Sequence, residues 1–536
     1  MTDPATTNPA SPRAYVLTTC FIALIATSFA FVIRLIILDE WAVEYGFSDT
    51  QKGELLGAGV WPFAISIILF SLIIDRIGYG RAMWFAFACH VVSVIVTVTA
   101  EGYWGLYLGN FICALGNGTV EAVINPVIAA MFWKHKTKWL NILHAGWPGG
   151  LIVGGLLTLA MLPENPLGGL LGATAENPQW RWKVGLLLLP TVIYGVMLLG
   201  TRFPVSERVA AGLPYGAMLR EFGAMGALIS GGLIIWQLMA ILAGATQMAS
   251  GVWMPIAVAI IAITTVAYGL AVGALGRPLF AFLLLVMILL ATTEIGSDGW
   301  IASLMRPVMD DAFGLDGGWV LVYTATIMML LRLFCGPIVK RLNPLGMLAV
   351  SSLFAAAGLA FLSTASGVII ILAATVYGIG QTFFWPTTLG LVAERFPKGG
   401  ALTLNAIAGV GMLGVGILGF PLLGNVQDRH TASVLEAQQP ALASAVFSDL
   451  PTTSVLGNYR KLDADKVDAL TDAQKTTVTD IQDDAKQQAL LQVAVLPLIM
   501  FACYIGLIFW FKSRGGYQAE LLEAAHTGEP DGENTG

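Results

Sequence analysis

The stretch Ile73-Ile74-Asp75-Arg76-Ile77-Gly78-Tyr79-Gly80-Arg81, IIDRIGYGR, links one long apolar run to the next. It recurs in outline at residues 338–346, IVKRLNPLG, where Lys340-Arg341 stands for Asp75-Arg76 at an offset of 265 (340 minus 75). A second pair of runs keeps almost the same spacing. Leu140-Asn141 in TKWLNILHAGWPGGLIVGG answers to Leu404-Asn405 in LTLNAIAGVGMLGVGILG, an offset of 264 (405 minus 141). Two matches at nearly one offset argue for a chain built from duplicated halves.

The material around these links is membrane material. The chain is 56% hydrophobic and 12% charged, against about 25% charged residues in a soluble domain. A span needs roughly 20 apolar residues, and that ruler gives fourteen. Six come first: Ala14–Leu38, Gly53–Ile74, Ala82–Ala100, Tyr103–Phe132, Trp139–Leu162 and Val184–Thr201. Phe222–Ala243 and Gly251–Leu275 follow a polar link. Six close the chain: Pro278–Leu304, Trp319–Val339, Leu345–Thr364, Gly367–Ala393, Ala401–Leu423 and Ala489–Phe511. The expected fold class is therefore an all-α polytopic membrane protein, two six-helix bundles plus an inserted two-helix hairpin. Its divisions are a tail (1–13), a first bundle (14–203), a linker with the inserted pair (204–276), a second bundle (277–512) and a second tail (513–536). The inserted pair falls outside the repeat and is expected to pack laterally, away from any pathway between the halves. Residues 424–488 form a long polar stretch with helical spacing near its end, readable as a helical cap or as a solvated linker.

Orientation follows from Lys and Arg near the span ends. With the N-terminus inside, sixteen lie inside and four outside, leaving the long late loop uncounted. Both termini are thus expected in the cytoplasm and the chain in the inner (plasma) membrane, its lipid bilayer being the first partner. The N-terminal tail lacks the basic start of a signal peptide, so the first apolar run is expected to be retained. A net charge of -6 gives no footprint for nucleic acid. The five cysteines, Cys20, Cys89, Cys113, Cys335 and Cys503, lie in apolar runs without metal-ligand spacing, so neither a metal nor another cofactor is expected. No nucleophile-elbow, HExxH or phosphate-loop pattern appears, which argues against an enzyme.

Several polar residues sit where polarity is costly. In the fourth span, Asn117, Glu121 and Asn125 recur at i, i+4 and i+8 on one helical face. An ionisable group at mid-bilayer usually faces a cavity and has a function. Pro126 frees the backbone carbonyl of residue 122 and favours a bend there. A structural pair with Arg34 of the first span is the alternative to a functional role for Glu121. The fifth span places Asn141, His144 and Trp147 along one drifting face, ahead of the kink-prone Pro148-Gly149-Gly150. His144 is open to solute or to a neighbouring helix. The ninth span carries Glu294 and Asp298 four apart. Like charges at that spacing repel, so the pair suits a shared proton or a sodium ion. Counting about 1.5 Å per residue places Glu294 about 24 Å into its span and Asp298 near the surface. Gln381 and Trp385 of the twelfth span, with Trp61 of the second, supply an amide and aromatic faces suited to a neutral polyhydroxyl ligand. Arg332 can snorkel to the interface or pair with an acid, snorkelling being the default, and His90 is expected to be a satisfied polar group. These acids and amides are expected to converge from both halves on a water-accessible chamber.

The link Asp75-Arg76-x-Gly78-x-Gly80-Arg81 resembles the loop motif G-x-x-x-D-R-x-G-R of the major facilitator superfamily, with Ser71 in place of the first glycine. Asp75, Arg76, Gly78 and Arg81 would then latch neighbouring helix ends in one conformation. The runs G-x-G-x-x-E-A-x-x-N-P (Gly116 to Pro126) and L-N-x-L-H-A-x-x-x-G-G (Leu140 to Gly150) are similar to the fucose:proton symporter branch of that superfamily. The resemblance covers residues 14–203 and 278–512. It implies a transporter of monosaccharides in which Glu121 matches the proton-coupling glutamate. Arg34 falls where the branch has an acid, and Trp300 resembles an aromatic found near the sugar. The expected function is ion-coupled alternating access, driven by H+ or Na+, for a small polar solute in a monomeric carrier. A peptide or cell-wall fragment as solute, or a non-transporting solute sensor, are the alternatives.

Overall fold

The computed structural model describes residues 12–47, 49–163, 165–174, 177–297, 318–448, 452–454, 457–460 and 462–522. Asp298 and Trp300 lie outside the described residues. Among those described, thirteen helices are long and apolar enough to cross a membrane, and Val322–Leu333 adds a shorter apolar helix in the tenth position. The fourteen sequence spans each find a helix.

Proline shapes the interior helices. A proline at position i cannot donate to the carbonyl at i−4. The fifth span breaks accordingly: Lys136–Leu143 ends, His144 and Ala145 form a turn, and Gly146–Ala160 resumes. The break falls four residues before Pro148. The twelfth span does the same, with Ile369–Gln381 separated from Phe384–Arg395 four residues before Pro386. The duplication is visible in the backbone as well. A short 3-10 turn follows the fourth span at Trp133–His135 and the twelfth at Pro397–Gly399, 264 residues apart.

The two halves meet along paired helices. Helix Gly400–Gly414 runs along Trp61–Ile77, and Gly318–Leu333 along Gly146–Ala160. Phe384–Arg395 packs on Lys136–Leu143, and one glycine makes that approach possible. A Cβ at Gly390 would come 2.4 Å from Thr137 Oγ1 and 2.7 Å from its Cα.

The inserted hairpin, within Tyr215–Thr246 and Ser250–Val272, has 11% and 6% of its apolar windows buried. It leans on helices Pro278–Ala291 and Gly400–Gly414 of the second half. Its base is closed by Gly223 and Gly276, both at positive φ, whose backbones touch so closely that a Cβ on Gly223 would meet Gly276 N at 2.0 Å. Ala224 N and Met225 N donate to Ala274 O and Leu275 O beside them.

The late loop is folded. Helix Phe420–Gln438 continues the thirteenth span outward, and Asp472–Val493 leads into the last one, its start closed by the Thr471/Gln474 capping box. Between them lie Pro440–Val446 and a hairpin pairing Thr452–Ser454 with Gly457–Tyr459. Leu435, Leu442, Val446, Phe447, Val478 and Ile481 form a separate small core. The face carrying this unit is called the loop face below, and the face carrying Arg13 and Lys512 the terminal face.

Candidate functional site

The seam between the halves is built on carbonyls whose i+4 residue is a proline and cannot donate to them. Pro126 vacates Ala122 O, and Asn405 Nδ2 of the opposite half donates to it at 2.9 Å. Pro148 vacates His144 O, and Arg332 Nη1 donates to it across the seam at 2.9 Å. Pro386 vacates Thr382 O, which takes Arg332 Nε at 2.7 Å. One guanidinium therefore fills a gap in each half. The repeated asparagines act symmetrically: Asn141 Nδ2 reaches Thr387 Oγ1 at 3.2 Å in the second half, while Asn405 reaches the first. Their targets, residues 122 and 387, are themselves pseudo-equivalent.

A polar chain crosses this seam. Glu294 Oε1 pairs with Arg332 Nη2 at 3.3 Å. Arg332 holds the main chain of His144. The His144 ring meets Asn125 Oδ1 through Nε2 at 2.9 Å, and Asn125 Nδ2 donates to Glu121 Oε2 at 2.6 Å. Glu294 sits in a π-helical turn, Thr292–Gly296, a distortion frequent at functional sites. Tyr377 Oη donates to Thr293 O in that turn at 2.5 Å. The chain is buried: Glu121 is 4%, Arg332 2% and Asn125 0% exposed. The expected convergence from both halves is present, but as a closed hydrogen-bonded seam rather than a water-accessible chamber. The paired helices above close over it in this conformation.

Several sequence expectations need correction. Arg34 does not meet Glu121. It donates to Asn110 Oδ1, to Ala30 O and to Cys113 Sγ. At 1.5 Å per residue from the terminal face, Arg34 stands about 30 Å up its helix and Glu121 about 15 Å up the antiparallel neighbour. Level with Arg34 is Asn110. Arg332 does not snorkel; its acid and two vacated carbonyls hold it inside. Asn117 turns away from Glu121: its Oδ1 lies 2.9 Å from His90 Nε2, and Tyr194 Oη lies 2.9 Å from His90 Nδ1. Positions i, i+4 and i+8 drift by about 80° around a helix of 3.6 residues per turn. That drift aims Asn117 at the third span and Asn125 at the fifth. Trp61 lies against Phe111 and Trp147 against Phe31, both within the first half, while the Trp385 ring reaches toward Gly411. Gln381 ends its helix beside the carbonyl that Arg332 fills.

At the terminal face, Asp75 Oδ2 accepts from Arg208 Nη2 at 2.5 Å and Nε at 3.2 Å. Arg76 lies 5.3 Å over the Tyr215 ring, Gly78 turns the chain at φ 83°, and Arg81 is exposed. The motif thus fastens the second span to the linker. The bonds across the halves come from residues the sequence did not single out. Lys136, paired with Glu207 at 2.7 Å, donates to Ala393 O at 3.2 Å. Thr137 Oγ1 donates to Glu394 Oε1 at 2.5 Å. The C-terminal segment braces the same acid: Tyr517 Oη donates to Glu394 Oε2 at 2.7 Å, and Glu520 N to Glu394 O at 2.7 Å. Burial and the Glu394 carboxylate push the Tyr517 hydroxyl well above the usual tyrosine range.

Two pseudo-equivalent helix bundles sharing a buried polar seam define a multi-pass membrane carrier. The model of the Major Facilitator Superfamily matches residues 17–421, and the chain belongs to that family. Three solved transporters share the fold. FucP, the E. coli fucose:proton symporter, in its outward conformation, has a TM-score of 0.55 at 13% identity, covering 92% of this chain and 99% of that one. The E. coli proton:xylose symporter XylE, bound to 6-bromo-6-deoxy-D-glucose, gives 0.58 at 13% identity over 96% and 98%. A bacterial homolog of the human lysosomal transporter Spinster gives 0.57 at 14% identity over 97% and 98%. These likenesses show the fold alone. A Haemophilus influenzae protein named "Putative metabolite transport protein" is 26% identical over 129 residues, 24% of this chain and 31% of that protein.

Proposed function

We propose that this transporter moves a small polar solute, most simply a monosaccharide, by ion-coupled alternating access, with its terminal face in the cytoplasm of the inner membrane. The observation that supports this reading is the polar chain from Glu294 through Arg332, His144 and Asn125 to Glu121. It spans both halves at mid-depth, where a lone charge costs about 2.5–3.5 kcal/mol. Glu121 is bonded to an amide, and no ion pair holds it among the described residues. Gain or loss of one proton there changes the charge of the seam without breaking a salt bridge. Glu294 is held by a cation that also binds both halves, so any change in that pair is felt at the seam. Amides, hydroxyls and a histidine ring are suitable hydrogen-bond partners for a polyol once the seam opens.

The test is counterflow in proteoliposomes with a panel of labelled monosaccharides and small peptides, with and without imposed proton or sodium gradients. Exchange of at least one monosaccharide, with accumulation under one of the two gradients, is the expected result. Exchange of peptides alone, or of nothing, contradicts it.

A further inference from the structure

One amide decides what two titratable groups of the seam can do. Asn125 Nδ2 lies 3.1 Å from the main-chain O of Glu121 and 2.6 Å from its Oε2. A main-chain carbonyl only accepts hydrogen bonds. The atom facing it is therefore the amide nitrogen, which turns Asn125 Oδ1 to the His144 ring, 2.9 Å from Nε2. Turned over, the amide would set its oxygen against the carbonyl. Asn125 is fully buried, and a buried polar group left without a partner costs about 1–3 kcal/mol.

Oδ1 also only accepts, so Nε2 of His144 carries the proton it donates. In the neutral ring Nδ1 is then an acceptor, and no partner is bonded to it among the described residues. Glu121 Oε2 is held as an acceptor as well, so a proton taken up by Glu121 goes to Oε1. No proton passes from Glu121 to His144 through Asn125 unless the amide turns over and gives up the carbonyl. The ring is placed by both halves. Asn125 holds its Nε2 from the first, and Arg332 holds the main-chain O of His144 from the second at 2.9 Å.

We propose that Asn125 is a positioning residue that separates two tasks: it keeps the coupling proton on Glu121, and it sets His144 to offer Nδ1 to a hydroxyl of the solute. Such a nitrogen accepts from a hydroxyl and gives nothing to a carboxylate or phosphate oxygen, so the solute group at this point is a neutral hydroxyl. The solute part rests on the carrier reading above; the tautomer does not. The tautomer is measured without transport, by nitrogen NMR of the histidine-labelled full chain in lipid bilayers. The chain has five histidines, and the signals of His144 are those lost in His144→Gln. The expected ring is protonated on Nε2 alone, and Asn125→Ala is expected to release it into a mixture of tautomers. A wild-type ring protonated on Nδ1, or on both nitrogens, overturns the proposal whether or not the variant folds. The second measurement is counterflow and gradient-driven accumulation of labelled monosaccharides, D-glucose, D-galactose and D-ribose among them. The His144→Gln amide still donates to Asn125 but lacks the acceptor. It is expected to raise the half-saturating concentration about three- to tenfold, the effect of losing one hydrogen bond, while a gradient still drives accumulation at saturating sugar. Accumulation lost at an unchanged half-saturating concentration overturns the proposal, since His144 would then carry the proton. An Nε2-protonated ring in a chain that exchanges no solute upholds the role of Asn125 and sinks the carrier reading. Sugar exchange by a chain whose ring is protonated on Nδ1 does the reverse.

Discussion

Arg332 holds the seam from inside. It neutralises Glu294 and fills the carbonyls vacated by Pro148 and Pro386, one in each half. Removing it takes the cation from a buried carboxylate and one donor from each of two carbonyls. Arg332→Ala is expected to lower stability by about 3–5 kcal/mol, the cost of breaking a buried pair by deleting one partner. The double variant Arg332→Gln/Glu294→Gln is expected to recover much of that loss, read as thermal unfolding in detergent. Equal losses in both would mean that the pair is not the stabilising unit. The sequence made part of this legible. Pro126 announces an open carbonyl at residue 122, and Glu121 is conspicuous as an acid in an apolar run. For Arg332, pairing with an acid was one of two readings, and snorkelling was the default because an arginine near the end of an apolar helix can reach the interface. Only the fold shows that two distant prolines leave acceptors within its reach. The Arg34 pairing failed for a matching reason: composition gives residue types, while the level at which antiparallel helices meet depends on where each enters the bilayer.

Whole elements were more legible than contacts. Hydropathy located the helices well, because the bilayer fixes span length: thirteen described helices are long and apolar enough to cross, and the tenth position holds a shorter one. The two broken helices follow from their prolines, with each break four residues upstream. The fold of residues 424–488 was not legible, since a charged helix and a solvated linker have similar composition. The inserted hairpin buries little of itself and closes on its own glycine pair. Deleting residues 222–275 behind a short linker is expected to impair insertion or thermal stability more than solute affinity; a larger effect on affinity would place the hairpin in the pathway. The C-terminal segment is expected to matter for conformation instead. Tyr517 Oη and the Glu520 main chain brace Glu394, which in turn holds Thr137 of the other half, and the Glu520 carboxylate fixes the segment by pairing with Arg277 and Arg395. Spin labels at Lys134→Cys and Lys398→Cys, positions equivalent in the two halves, report the gap between them. Tyr517→Phe with Glu520→Gln is expected to raise the share of the longer distance. An unchanged distribution would show that the segment merely rests there.

For the molecule as a whole, the duplicated halves explain how one seam can open to either side. Asn141 and Asn405 each donate across the seam, one to the Thr387 hydroxyl and the other to the Ala122 carbonyl, so each half supplies a donor to the other. In this conformation the terminal face is tied by Lys136, Thr137 and Glu394, and the seam above it is buried. Transport requires both to part, and the direction of net movement is then set by whichever group carries the ion. The most direct measurement compares Glu121→Gln with the wild type in proteoliposomes, following gradient-driven accumulation and counterflow of the same solute. If Glu121 couples the ion to movement of the seam, accumulation is lost while counterflow persists. Accumulation that survives the substitution at the wild-type level contradicts the account.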